Sequence, residues 1–546
     1  MSAPAALVAV ATPRIWPQLP DDLVDKIISF LGPNEVPHFR LVNKAAASRF
    51  CGPEHITLHL SQPVPPHAFA AHWLAPGATR GLTLARRLQL LSLTAASGMA
   101  ANLELVVRAA GCLPTYEVLE AAAASGQLGS CQWLHEHGCP TCKRGAKESG
   151  LLAAAAGGGH RHVCEWLLGL GLDHTWGSDG AAEAARGGHV GLAEWLLDLA
   201  ERRPQLGVPD QGQRPREDAE GLAVGAAHGC DLPTLVRLWR DHPVPECAKG
   251  RALAAAAGSP TPDWAAKVEW LEAQGCQRGV GAASAAASCP DDATAAARLA
   301  WLRSRGYPLD DSAVLAAVRA DNAAALQYLL EEACMRPGDS ATTAVQAAVR
   351  EGRLGALRAL HDAGWMPGGA CFSLAVRAAV HSHLGVLAWL VETPGGTVAA
   401  AAGTGAGAEL WTALLGAGAR SGSVELMASL VARGGELGPR VFSKAASSGC
   451  EEAVEWLVER GCPVEGGGWS YTAAAGNGDL AMAALLRRLG APWGPDGRVA
   501  SHAARAAPAP MLRWLLAEGC PARGSPKEAA SQRAGTGARG FGSRPG

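Results

Sequence analysis

The sequence is poor in features that mark many classes of protein. Aromatic residues make up only 5% of its 546 positions, and it contains no dense run of lysine and arginine. With a formal charge of −2, this argues against a general nucleic-acid binder, which would carry a basic face. The weak apolar stretch Ala5 to Ala11 lacks the basic flank and strong apolar middle of a secretory leader. The most apolar long stretch, Thr397 to Ala419, is mostly alanine and glycine with Glu409 inside it. It lacks the leucine, isoleucine and valine density of a membrane span, so no span is expected. Fifteen cysteines, an odd number scattered along the chain, make a poor disulfide framework. A reducing compartment, cytoplasmic or nuclear, is the expectation.

Small residues are what the sequence has in quantity: 67 glycines and long blocks of alanine. Hydrophobic content is still 48%, enough to bury a core. The length would ordinarily mean several globular domains, unless the chain is an array whose units pack only on their neighbours.

A recurring unit supports the array. Residues 441–463 hold an alanine pair (Ala445, Ala446), a turn glycine (Gly449), then Val454, Trp456, Leu457, Gly461, Cys462 and Pro463. Residues 151–171 and 183–197 repeat the order around Gly159-His160 and Gly188-His189. The aromatic-Leu position can be followed from Val106 through Trp133, Trp166, Trp195, Leu238, Trp270, Trp301, Tyr328, Ala359, Trp389, Ser429, Trp456 and Leu485 to Trp514. Most steps are 27 to 33 residues, by subtraction of these positions. Periods in that range mean a solenoid of helix pairs, each too poor in apolar area to fold alone. The alanine pairs predict a short first helix that neighbours approach closely. The turn glycine supplies a positive φ, and the later glycine with its following proline ends the second helix. Eight tryptophans in the second-helix slot are predicted core. Gly-Cys pairs at Cys112, Cys139, Cys276, Cys462 and Cys520 place cysteine as a small apolar residue after the helix end.

This pattern resembles the ankyrin family over roughly 430 residues, closest to the shorter, divergent units of protist and giant-virus proteins. The Gly-His and Leu-Leu-x-x-Gly parts are present, but the family's Thr-Pro-Leu-His start is missing from nearly every unit. The resemblance implies an all-α solenoid over 94–522, of about 13–14 units, with loop insertions near 203–221 and 394–408. It also implies binding of a target protein by loop tips and first helices on a concave face. Trp176, Trp365, Trp469 and Trp493 follow helix-ending glycines and are the candidate anchors there, unless each folds back onto its own unit.

The N-terminal module differs. After residues 1–14, expected to be disordered, Leu19-Pro20-Asp21-Asp22 precedes a helical pattern of Leu23, Val24, Ile27, Ile28 and Leu31. Asp21 or Asp22 can cap that helix, and Gly32-Pro33 stops it. A second segment from Asn34 carries Val36, Phe39, Leu41 and Val42. Residues 15–60 resemble an F-box, with Ala45 to Ala47 where the family has an aromatic and Phe50 further on. The resemblance implies docking on the Skp-type adaptor of a cullin–RING ubiquitin ligase through Leu19, Pro20, Leu23, Ile27, Leu31 and Val42. The alternative is that these helices only cap the solenoid's end. Residues 61–93 connect or cap, and 523–546 form a disordered tail.

Chemistry-bearing constellations are weak. Cys139-Pro-Thr-Cys142, with Cys131, His135 and His137, has metal-ligand residue types, but Gly-Cys-Pro recurs at Cys462 and Cys520 without a second cysteine. Residues 403–408 echo a dinucleotide loop without a preceding strand. His160 and His189 sit at turns, where a backbone-fixing role outweighs catalysis. No cofactor or metal is expected. An enzyme such as a hydrolase would need a catalytic constellation that the sequence does not offer. The expectation is a scaffold, with the F-box-like module making it the substrate-recognition subunit of a ligase.

Overall fold

The computed structural model describes residues 20–522, apart from 33, 41, 144–149, 172–177, 203–214, 339, 367–370, 393–406 and 496. The chain is all-α, and among the described residues it has no strand, only one isolated bridge between Cys112 and Asp479. Fourteen antiparallel helix pairs follow one another among these residues. The first is Leu84–Ala96 with Ala100–Ala110, and the last is Arg498–Ala506 with Ala509–Ala517. The row therefore starts ahead of Thr94, the boundary that periodicity marks.

The alanine pairs explain the stacking. Ala122-Ala123, Ala256-Ala257 and Ala445-Ala446 are buried on first helices, and each first helix packs on the first helix of the next pair. Small side chains bring the backbones close. A Cβ at Gly225, in the helix Pro215–Gly229, would lie 2.2 Å from the carbonyl oxygen of Ala182 in the preceding pair. Only glycine fits there. Between the helices of most pairs the backbone turns through a left-handed residue, as at Gly449 with φ 77°, after the helix Pro439–Ser448. One continuous apolar core runs from Val64 to Cys520. First helices on either side of both expected insertions pack together, Ser178–Arg186 on Pro215–Gly229 and Cys371–Val380 on Gly407–Ser421. Neither insertion breaks the stack.

Second helices pack less simply than the sequence implies. The fully buried rung is the leucine after the aromatic: Leu134, Leu167, Leu271, Leu302, Leu457 and Leu515. The eight tryptophans assigned to the core are instead half-buried, lying against the core from outside. They bridge neighbouring second helices, as Arg161 does over Trp195 at 4.6 Å and Trp264 does on Trp301 at 5.0 Å. In the helix Leu232–Asp241 the ring contact belongs to Trp239, 5.6 Å from Trp270, and not to the Leu238 position. The insertion boundaries also shift. Residues 215–221 and 407–408 are helical, while 203–214 and 393–406 lie outside the described residues.

Each first helix ends with carbonyls that lack intrahelical donors. A polar side chain of the next pair supplies them. His160 Nε2 meets the Ala124 carbonyl at 3.1 Å, His383 Nε2 meets Arg350 at 2.8 Å, and Asn322 Nδ2 donates to Cys289 at 2.9 Å. Lys267, fully buried, donates to Ala227 and Cys230 carbonyls at 2.8 and 2.9 Å and to Ser259 Oγ at 2.7 Å. Arg298 does the same to Ala257 and Ser259. His160 and His383 thus fix backbone across pairs.

The row returns on itself. Arg87, in the first pair, forms a buried two-pronged ion pair with Asp479, at 3.0 and 2.6 Å, near the far end. It also donates to the Ala110 and Gly449 carbonyls at 2.7 and 2.8 Å. Backbone bonds run alongside: Leu113 N to Gly478 O at 3.1 Å, Ala481 N to Gly111 O at 2.8 Å, and Glu452 N to Arg80 O at 3.3 Å. Arg80 pairs with Glu455 and Glu451 at the rim.

Candidate partner-binding site

The N-terminal module builds its own small core. Helices Asp21–Phe30, Val36–Phe39, Lys44–Arg49 and Pro53–Ile56 enclose Phe39, Ala46 and Phe50, with Val24, Ile27, Ile28 and Leu31 packed against them. Phe39 and Phe50 rings meet edge-on at 6.1 Å, so Phe50 fills the aromatic place that the Ala45–Ala47 stretch leaves open. Arg49 pairs with Asp25 at 2.7 Å, tying the third helix to the first. The first helix starts at Asp21 with Pro20 at its N-cap and no side-chain cap bond there, so the expected aspartate cap falls inside the helix and not at its N-cap.

Two stripes divide that helix. Val24, Ile28 and Leu31, at i, i+4 and i+7, face the module's core. Leu23, Ile27 and Phe30, at the same spacing, form the other stripe; Leu23 is 47% exposed and Phe30 79% exposed, with Ile27 at the border. Val42 is 46% exposed beyond the second helix, and Ile56 and Leu58 are exposed as well. An exposed apolar set of this kind is a candidate interaction surface. Of the residues assigned to adaptor docking, Pro20, Leu23, Ile27 and Val42 reach the surface to different degrees. Leu31, like Ile27, is half-buried against the module's core, and Leu19 lies outside the described residues. Phe30, absent from that assignment, shares the exposed face, and its seven-residue spacing from Leu23 is the signal that places it there.

The module is fastened to the array. Asn34, buried, donates from Nδ2 to the His59 and Pro63 carbonyls at 2.8 and 3.1 Å and accepts from His59 N at 2.7 Å. Asn102, buried in the first pair, donates to the Val64 carbonyl at 2.8 Å. The helix Pro66–Trp73 packs on Ala100–Ala110 and so covers the first pair. It is this segment, not the F-box-like helices, that caps the row.

The loop tryptophans divide. Trp365 is only 2% exposed, so it is a core side chain and not a surface anchor. Trp493 is half-buried and lies 4.1 Å from the Tyr471 ring of its own pair, folding back as the alternative reading expects. Trp469 is 57% exposed, with the Arg498 guanidinium 4.8 Å from its ring. Trp176 lies outside the described residues.

The Gly-Cys cysteines are buried thiols. Burial pushes Cys112 and Cys139 up to about 12 and Cys276 and Cys520 to about 11, which leaves them protonated and unreactive. Among the described residues no group of three His, Cys, Asp or Glu is arranged to hold a metal ion, and no helix is long and apolar enough to cross a membrane.

Comparison with known proteins agrees with the module. Residues 16–55 match the F-box domain. No curated protein matches the chain. Among solved structures, the pentatricopeptide repeat protein PPR10 from maize is similar over 91% of this chain and 80% of its own, at 12% identity and a TM-score of 0.26. Its complex with an 18-nt psaJ RNA element is similar over 84% and 78%, also at 12% identity and 0.26. Likeness at that level carries nothing about function.

Proposed function

We propose that the chain is the substrate-recognition subunit of a cullin–RING ubiquitin ligase, with the F-box at residues 16–55 docking on a Skp-type adaptor and the helix-pair row holding the protein to be modified. The exposed Leu23 and Phe30 on an F-box helix, with half-buried Ile27 between them, carry this reading. Apolar anchors on one helix face are how a helix seats in a partner's groove. The row is of ankyrin type in this reading, supported by its helix pairs, turn glycines and Gly-His contacts across units. The chain catalyses nothing itself; it supplies proximity, and the Asn34 and Asn102 fastenings favour a fixed distance between ligase and target. The cap-only reading is disfavoured because the helix Pro66–Trp73 already covers the first pair.

The test is affinity purification of the full chain and of its Leu23→Lys/Phe30→Lys variant from cells that contain the adaptor. Adaptor retention falls by roughly tenfold or more in the variant, with unchanged circular dichroism, if these side chains are the anchors. Equal retention by both proteins contradicts the proposal.

A further inference from the structure

The half-buried aromatic that bridges neighbouring second helices is absent from several rungs, and at one of them a small residue stands opposite a distorted helix. Ala359 stands where Trp301 and Trp389 stand in nearby pairs. Small residues continue along the same face of the helix Leu354–Asp362, at Gly355 and Ala356. The facing helix departs from α geometry at the same level: Ala323–Gln327 is α-helical, Tyr328–Glu332 is a π-turn, and Cys334 follows with φ 52°. A π segment widens a helix locally and occurs often at functional sites. The result is an open groove of about 680 Å³ between the two second helices, floored by Leu326, Leu330, Ala356 and Ala359.

Among the described residues that line the groove, the charged side chains are all carboxylates, Asp321, Glu331 and Asp362. Arg353 engages Asp321 at 2.5 Å and His361 Nδ1 lies 3.1 Å from Asp362 Oδ1, while the Glu331 carboxylate accepts from a neutral donor, Gln327 Nε2, at 3.0 Å. An apolar floor under a carboxylate rim complements a large apolar side chain flanked by cationic ones.

We infer that this groove is a docking site for a short basic segment of the target protein, one bulky aromatic side chain filling the missing rung and flanking Lys or Arg side chains meeting Glu331 and Asp362. This deepens the receptor reading by naming a target chemistry, and it rests on that reading only for the biological role of the bound protein. The groove lies on second helices, not on the loop tips from which the tryptophan anchors were predicted.

Fluorescence anisotropy on the purified full chain tests it directly, using a short synthetic peptide with a central tryptophan between lysines. Two control peptides replace the tryptophan by alanine or the lysines by glutamates. The wild-type chain binds the first peptide and loses roughly tenfold or more in affinity for each control. Ala359→Trp restores the rung found in neighbouring pairs, so the fold is kept, and binding is lost while the thermal midpoint holds or rises. Glu331→Lys, at an exposed rim position, weakens the basic peptide and improves the glutamate one. No binding of the basic peptide, equal binding of the acidic peptide, or full binding by Ala359→Trp overturns the inference. A second copy of the chain as occupant would appear as concentration-dependent association abolished by Ala359→Trp without peptide binding, and overturns it too. The adaptor is absent from this assay, so its outcome is separable from that of the F-box experiment.

Discussion

Glu272 joins two neighbouring pairs through one carboxylate. It accepts from Arg305 at 2.6 Å, from the Tyr307 hydroxyl at 2.7 Å and from Arg278 at 3.1 Å. Burial alone would raise its pKa, but the hydrogen bonds from Arg305, Tyr307 and Arg278 outweigh it and hold the carboxyl at about 2. A carboxyl held below its unfolded value stabilises the fold above the ordinary glutamate range, and that stability is lost as pH falls through about 2. Glu272→Gln should therefore melt lower than the wild type at neutral pH, with the two melting temperatures converging as pH falls toward about 2. A gap that stays constant from neutral pH into that acid range contradicts the assignment. At the same scale, Phe30 and Leu31 are adjacent in sequence and opposite in fate, one exposed and one packed, because a step of one residue on a helix turns the side chain by about 100°.

The helix pair was largely legible from sequence. Alanine pairs and turn glycines follow from steric fit, and both appear where the pattern puts them, as at Ala445, Ala446 and Gly449. The tryptophan slot misled, because Trp456 is the conspicuous residue while the quieter Leu457 beside it is the one fully buried. The groove at Ala359 was visible only as a gap in a series; the π-turn opposite it leaves no local sequence mark. Nor does periodicity identify which polar residue answers the carbonyls of the preceding pair, since histidine, asparagine, lysine and arginine all fill that place. Lys267 is the most deeply committed of these. Lys267→Met keeps the length of the side chain but removes the donor to Ala227, Cys230 and Ser259. Loss of these bonds should cost about 2 kcal/mol in denaturant unfolding, with faster amide exchange centred on residues 226–230 and 259. Unchanged stability would show that the carbonyls find other donors.

At the scale of the whole molecule, the two ends of the row touch. Nothing in the local sequence announces this, because Arg87 and Asp479 are 392 positions apart and each reads as an ordinary polar residue near a helix end. The ion pair is buried, so either partner without the other leaves an uncompensated charge, which is strongly destabilising. A simple open solenoid has free ends that fray independently. Here the F-box is fastened through Asn34 and Asn102 to the first pair, and the first pair is locked to the pairs around Gly449 and Asp479. The account therefore holds that the F-box and the far end of the row belong to one mechanical body, which in the proposed receptor would set how a target is presented. Hydrogen–deuterium exchange on the full chain with Arg87→Met measures this directly. Closure predicts faster exchange in residues 84–113 and, together with it, in residues 449–481. Exchange that rises only around Arg87, with 449–481 left at the wild-type rate, would contradict a row whose ends are joined.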